Sequence, residues 1–522
     1  MTVGKPASAP TADLAALARG GRINFYGFCL RLAARLPFLF IAGRVYGAEA
    51  LGRFAYAVLV VEFAAQLATL GLKRGLAQQL AHTDKPHACV AWDALIVAAF
   101  GSAIAMGILI LFPQAMYPNS TIERLDRLLP ITIIALAWSD IMLAGLAYRH
   151  DVASTVRARA VVEPVTISAA ALALAYFPNL VTRGDGLIIA YVLSMVGALI
   201  ASVTPFLKSY GVPHDWRPEP GPLWHMARRN VPVAAADAVE WGSRRVDIAV
   251  LGLFFRPEIV GIYYVAQNVA SLPSKLKTSF DPILGPVVAR NLKENDKAAV
   301  AKQVRQVGFW VIGAQLGVAL ALAIPGEAVM GLVGPAFVAG TAALAFLLAA
   351  EVVAAMAAVS EAALIYVARH RNMWLSLVMM ALEAGLAALL IIAMRKLNFP
   401  PMWQATGPAI GLMLALAFAA VAKSRLLCRI LGARVNGWRW PLIWAAAAGT
   451  AVGYLATLLP EWAELLFGIP AILLAFGAVL WTRGFGPQDR ELFRMKKADI
   501  EELETLEGIE IPPPGTTGDP AR

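Results

Sequence analysis

Charge is what this sequence has least of. Aspartate, glutamate, lysine and arginine make up 15% of its 522 residues, against about 25% in ordinary soluble domains, and the mean hydropathy is +0.64. That balance excludes a water-soluble globular protein. Cysteine is scarce too. Cys29, Cys89 and Cys428 lie far apart, in or beside apolar segments and without metal spacing. They read as small buried hydrophobes, which excludes a disulfide framework and a zinc or redox centre. The Ala/Pro-rich stretch from Met1 to Arg19 lacks an apolar run long enough for a cleaved signal peptide. The net charge of +10 points to no nucleic acid, because in so apolar a chain the position of charge matters more than its sum.

What is present is a recurrence of apolar segments near the length that crosses a bilayer. Fourteen spans are expected, at 22–43, 54–72, 89–112, 128–148, 158–177, 187–207, 232–255, 259–280, 306–325, 342–367, 373–394, 404–422, 440–459 and 465–482. With a cytoplasmic N-terminus, the inside segments carry 33 lysines and arginines and the outside loops 8. That asymmetry sets the orientation and puts both termini in the cytoplasm. The outer loops are short, the longest being 113–127 and 325–341, and leave no room for a folded outer domain.

The stretch 233–255 is long enough to span, yet it holds Asp237, Glu240, Arg244, Arg245 and Asp247. On a continuous helix, positions 237, 240, 244 and 247 share one face. A mid-membrane charge costs about 2.5–3.5 kcal/mol on insertion scales, so that face is expected to turn inward or line a watery cavity. An internal Glu240–Arg244 salt bridge is the plainer alternative. The first span repeats the arrangement, since Asn24, Arg31 and Arg35 also share a face.

The two spans are related. Gly43, Glu49, Gly52 and Ala57 recur as Gly252, Glu258, Gly261 and Ala266 at an offset of 209 residues, and Phe54 meets Tyr263. The same offset sets Arg35 opposite Arg244. A repeat of unchanged membrane orientation implies two lobes about an axis along the membrane normal, with a cavity between them. Each lobe then offers an arginine-bearing face. Arginine keeps its charge when partly desolvated and grips phosphate in a fork, so the expected cargo is anionic. Glu240 and Asp247 are expected to hold Arg244 until the cargo takes it.

The organisation expected is a cytoplasmic tail at 1–21, an N-lobe of helices 1–6 at 22–207, and a proline-rich cytoplasmic connection at 208–231. A C-lobe of helices 7–12 follows at 232–423, then helices 13–14 with their basic loop at 424–483, and a polar cytoplasmic tail at 484–522. The fold class is an all-α polytopic membrane protein with two pseudo-symmetric six-helix lobes around a central cavity plus two C-terminal helices. Glu62, Asp140, Glu163, Glu351, Glu361 and Glu383 also fall in spans. Any is a candidate proton or sodium site, and others need only pair with an arginine. Asp93 and Asp281 read as interfacial. Asn119-Ser-Thr fits a glycosylation acceptor, a pattern common by chance. Residues 492–506 form a loosely amphipathic stretch, a surface helix or a docking segment.

Several stretches carry a family resemblance. Arg22-Ile-Asn24-Phe-Tyr-Gly27 followed by Arg44-Val-Tyr-Gly-Ala-Glu-Ala-Leu-Gly-Arg-Phe-Ala-Tyr-Ala57 resembles the opening of polysaccharide biosynthesis proteins of the O-antigen flippase type. These belong to the multidrug/oligosaccharidyl-lipid/polysaccharide exporter superfamily. Gly261-Ile-Tyr-Tyr-Val-Ala-Gln267 with Leu272-Pro-Ser, and Val333-Gly-Pro-Ala-Phe-Val-Ala-Gly340, are similar too. The resemblance implies alternating access and a lipid-linked anionic oligosaccharide as cargo, with no cofactor and no catalytic residue. It implies cargo contacts at Arg31, Arg35, Arg244 and Arg245. Asn24, Asp237, Glu240 and Asp247 are the polar cavity residues read from the helix faces, and the three acids depart from the family's cationic pattern. A coupling ion (H+ or Na+), the membrane potential and a polysaccharide polymerase or export machinery are the expected partners, and the bacterial inner membrane the location. A lipid II flippase and a cation-coupled multidrug exporter are the near alternatives. A membrane glycosyltransferase or ligase is the remote one, lacking the outer loop such chemistry needs.

The orientation is testable with reporter fusions. Fusions after Ala339 and after Arg522 are expected to report outside and inside respectively, and an exported reporter that is active at Arg522 rejects the topology.

Overall fold

The computed structural model describes residues 36–176, 183–213, 216–277 and 296–486. They are helical nearly throughout, and no strand occurs among the described residues. Ten segments there are long and apolar enough to cross a membrane. The first half comprises α1 Gly47–Ala68, α2 Leu72–Ala81, α3 His87–Leu111, α4 Thr132–Tyr148, α5 Glu163–Ala175 and α6 Arg183–Tyr210. Then come α7 Pro220–Gly242, α8 Val246–Phe254 and α9 Pro257–Lys277. The second half continues with α10 Lys297–Ala323, α11 Thr341–Val367, α12 Arg369–Lys396 and α13 Gly407–Leu431, and α14 Pro441–Ala456 and α15 Ile469–Val479 complete the chain. The end of the expected first span is described as a π-helix over Ala42–Tyr46. Asn24, Arg31, Arg35, Cys29, Asp281 and the stretch 492–506 lie outside the described residues.

Apolar side chains gain little by leaving lipid for protein, so close backbone approach has to supply packing energy in a membrane. The two halves meet in this way where α1 crosses α9. A Cβ on Gly52 would overlap the Pro257 carbonyl, and one on Gly261 would overlap that of Ala48. These two glycines are repeat equivalents, so the repeat read from sequence becomes a contact across the pseudo-twofold. Leu51, Phe54, Val61, Tyr263 and Ala266 are buried around it in one core shared by both halves. Elsewhere Gly411 approaches Ala387 where α13 meets α12. The C-terminal helices α14 and α15 lie on α10 through Leu442, Phe476 and Leu480.

Three expectations need correction. The second span does not begin at 54. The chain turns at Gly47, whose φ of 87° is open to glycine, and α1 starts there. It ends at Ala68, because Leu70 and Gly71 adopt left-handed values of 48° and 72° and start the separate helix α2. The connection 208–231 is not linker throughout, since α7 begins within it at Pro220. Pro220 and Pro222 occupy its first turn, where a proline lacks nothing the helix needs.

The third correction concerns the charged stretch itself. The seventh span is two helices, not one. A turn at Ser243–Arg245 separates α7 from α8, and Arg245 has left helical geometry at φ −141° and ψ 4°. Positions 237 and 240 therefore do not share a face with 244 and 247. The break also shifts the packing. α7 lies mainly on α1, α2 and α3, with Leu223, Met226 and Ala227 joining the first half's core, and touches α12 as well. α8 packs mainly on α12, α13 and α9 of the second half and also meets α1.

The glycine crossing is expected to tolerate no side chain. Gly52→Leu or Gly261→Leu should cost about 1–3 kcal/mol or more through overpacking, read as a lower unfolding midpoint in detergent. An alanine or leucine at Gly221, which has open space around it, should leave the midpoint unmoved.

Candidate functional site at the seam

Arg74 occupies the junction of α7 with the first half. The left-handed turn before α2 brings it there, and Gly71 lets α7 approach, since a Cβ on it would lie 2.6 Å from the Ala234 nitrogen. The Arg74 guanidinium donates to Glu240 Oε2 at 2.8 Å and stands 3.1 Å from Asp237 Oδ1. The second contact pairs charge without hydrogen-bond alignment, as neither Asp237 oxygen meets that geometry. Asp237 is 2% exposed and Arg74 57%. The acid is thus buried under a cation that water still reaches. Lys73 beside it donates to Asp140 Oδ2 at 2.9 Å.

Arg245 makes the matching link from the other side of the break. Its guanidinium lies 3.5 Å from Glu62 of α1 and 4.3 Å over the Trp241 ring, which packs on Phe63. Glu62 lines a cavity of about 50 Å³ together with Phe38, Phe54, Arg159, Glu163 and Tyr264. A drug-sized ligand needs about 300 Å³ or more. A glycan enters that cavity only if the halves separate. Arg159 is the half-buried cation of its wall: it donates to Glu163 Oε2 at 2.9 Å and bonds Asp140. Both acids belong to the first half, so Arg159 is neutralised within one body while Arg245 bridges two.

Asp247 is fully buried at the start of α8. It accepts from the Tyr263 hydroxyl at 2.8 Å and from Gln267 Nε2 at 2.9 and 3.0 Å. Glu383 of α12 is also fully buried and lies against the Asp247 backbone and charge, yet neither of its oxygens meets a donor in hydrogen-bond geometry. Two buried carboxyl groups side by side, one without a donor, have the chemistry to share a proton or a small cation.

The expected residues therefore fall into separate places. Arg244 is exposed in the turn between α7 and α8, and Glu240 pairs with Arg74 rather than with it. Asp247 pairs with Tyr263 and Gln267 rather than with Arg244. Among the other intramembrane acids, Glu62, Asp140, Glu163 and Glu361 pair with bases, Glu361 with buried Lys423 at 3.1 Å. Asp93, read as interfacial, is 8% exposed and accepts from the Trp216 indole at 2.9 Å. Sequence reading missed Arg74, Arg159 and Lys423 as site cations. Only Arg159 left a local signal, its i,i+4 spacing to Glu163. Arg74 and Lys423 find their acidic partners more than fifty residues away.

Breaking the Arg159 network has a stated cost. Arg159→Ala leaves Asp140 with Lys73 alone and strands Glu163, and is expected to lose about 1–3 kcal/mol, read as a lower unfolding midpoint. Adding Glu163→Gln should recover part of the loss by removing the stranded charge. No recovery contradicts the pairing.

Solved structures share this fold. An inward-facing multidrug resistance MATE family transporter of the MOP superfamily aligns at TM-score 0.64 and 15% identity, covering 77% of this chain and 94% of its own. A lipid II flippase, MurJ, in an inward closed conformation aligns at TM-score 0.63 and 11% identity over 90% and 100%. A MOP superfamily transporter from Pyrococcus furiosus Vc1 (DSM3638) aligns at 0.55 and 14% over 80% and 95%. No curated protein matches the chain. The polysaccharide biosynthesis protein family matches residues 41–333, more than half of the sequence. This transporter-fold membrane protein belongs to the polysaccharide biosynthesis protein family.

Proposed function

We propose that the protein is a flippase that moves a lipid-linked anionic oligosaccharide, carried on undecaprenyl pyrophosphate, between the leaflets of the bacterial inner membrane by alternating access. Its product would feed O-antigen, capsule or exopolysaccharide assembly, with a polymerase as downstream partner. The observation that carries the reading is the pair of seam cations, Arg74 and Arg245, each held by carboxylates of another segment. A pyrophosphate entering the seam exchanges one anion for another. The Arg74 guanidinium is 57% exposed, so an incoming anion can reach it and keep it paired throughout. Arg31, Arg35 and Arg244 would extend the same cationic path. The rigid bodies on this reading are an N-lobe at 22–207 and a C-lobe at 232–423, with 424–483 outside both and the termini cytoplasmic. No bond is made or broken, so the protein is not an enzyme. An inside-negative potential favours outward movement by about 2.3 kcal/mol per negative charge per 100 mV.

A second reading, a cation-coupled exporter, is favoured by the Asp247–Glu383 pair alone. The two readings part in one assay. Purified protein in vesicles is given an undecaprenyl-pyrophosphate oligosaccharide, and its arrival in the opposite leaflet is measured. Flipping is expected, with Arg245→Ala slowing it at least about tenfold through the lost charged contact and Arg245→Lys restoring part, because lysine keeps the charge and loses the fork. Absence of flipping, with transport of a cationic drug lost on Glu383→Gln, would favour the exporter.

A further inference from the structure

The face assigned to the outside by the basic residues is closed by two contacts that the repeat relates. On one side, loop 113–127 of the first half reaches the end of α8. Asn119 Nδ2 donates to the Gly252 carbonyl at 2.7 Å and to the Phe255 carbonyl at 3.1 Å. On the other, loop 325–341 of the second half reaches the end of the first-span helix. There Arg44 Nε donates to the Leu332 carbonyl at 3.0 Å, and Gly43 lies beneath Val333 and Phe337. Gly43 and Gly252 are equivalent at the offset of 209, as are Glu123 and Leu332 in the two loops. Each half thus lays its long outer loop over the helix end of the other.

Loop 113–127 is held rigidly by its own half. Arg53 of α1 donates to Glu123 Oε1 at 2.6 Å, bonds buried Asp126 and stacks over Tyr117 at 5.0 Å. The Glu123 amide closes the loop on Asp126 at 2.6 Å. With the loop so fixed, the amide of Asn119 is aimed across the seam. Its target needs a donor, because α8 has nine residues and the last carbonyls of a helix have no partner inside it. Asn119 is exposed, so water is at hand to take over these carbonyls when the halves part on this side.

We propose that Asn119 and Arg44 are the gate residues of the outer face, forming two reciprocal clasps that hold the halves together there and must both release before the cargo leaves. The Asn119-Ser-Thr sequence is accounted for by this contact rather than by a sugar. The inference rests on the alternating-access reading, and its test needs no cargo. Glu49 and Glu258 are repeat equivalents, exposed on either side of the seam. Spin labels at Glu49→Cys and Glu258→Cys, with the native cysteines replaced by alanine, report the gap by pulsed electron resonance in nanodiscs. Asn119→Asp keeps the shape and removes the donor. It is expected to raise the ratio of long to short distances about 3- to 10-fold, the factor set by one hydrogen bond's net contribution. Arg44→Gln should do the same from the other clasp, so the test survives if one variant does not insert. A second label pair on the first half alone, Glu49→Cys with Leu128→Cys, should not move. Unchanged Glu49–Glu258 distances in both variants overturn the proposal, and so does an equal change in the first-half pair. Failure of flipping with these shifts present would count against the cargo assignment and leave the gate standing.

Discussion

One guanidinium binds the charged end of α7, the first helix of this molecule's broken span, to the first half. Arg74 faces Asp237 and Glu240, and through them α7 lies on α1, α2 and α3 although the chain beyond it builds the other half. Take away that charge and a carboxylate that is 2% exposed is left beside apolar helices. The break at Ser243–Arg245 accompanies this arrangement. Most of α7 lies on the first half and most of α8 on α12 and α13, and the turn falls between the two sets of acids.

The rest of the seam is organised by charge of a different kind. Arg159 and Lys423 are neutralised inside single halves by Asp140, Glu163 and Glu361, and such pairs make each half rigid. Arg74, Arg245, Arg44 and Asn119 reach across. Contacts of this second type are few, they are hydrogen bonds or exposed ion pairs, and water or an anion can replace each one. The glycine crossing of α1 and α9 is a contact of a third kind, backbone against backbone.

Much of this was legible in the sequence, for physical reasons. Apolar segments of bilayer length fix the class of fold, and the recurrence of Gly43 and Gly52 at 252 and 261 marked the pseudo-twofold before its contact was seen. The charged stretch 233–255 was visible as the place where function concentrates. Its geometry was not. Helical periodicity assumes an unbroken helix, and the one local sign of the break is the Gly242-Ser243 pair, a combination that kinks helices. The partner of Asp237 and Glu240 was hidden by distance. Arg74 is 163 and 166 residues away along the chain, and by sequence it is one more loop cation that sets orientation. Asn119 carries only a common pattern in sequence, because a side-chain amide capping a distant helix has no signature in its own neighbourhood.

The central claim is that an anionic lipid displaces the carboxylates from Arg74 and frees α7. It is tested most directly by labelling Gln78→Cys on α2 and His225→Cys on α7, both exposed, and titrating undecaprenyl pyrophosphate into the protein in nanodiscs. The account predicts that the label-to-label distance lengthens as the lipid binds, and that undecaprenol, which carries no phosphate, leaves it unchanged. A distance that stays fixed at saturating pyrophosphate lipid, or that responds equally to the uncharged alcohol, would contradict it.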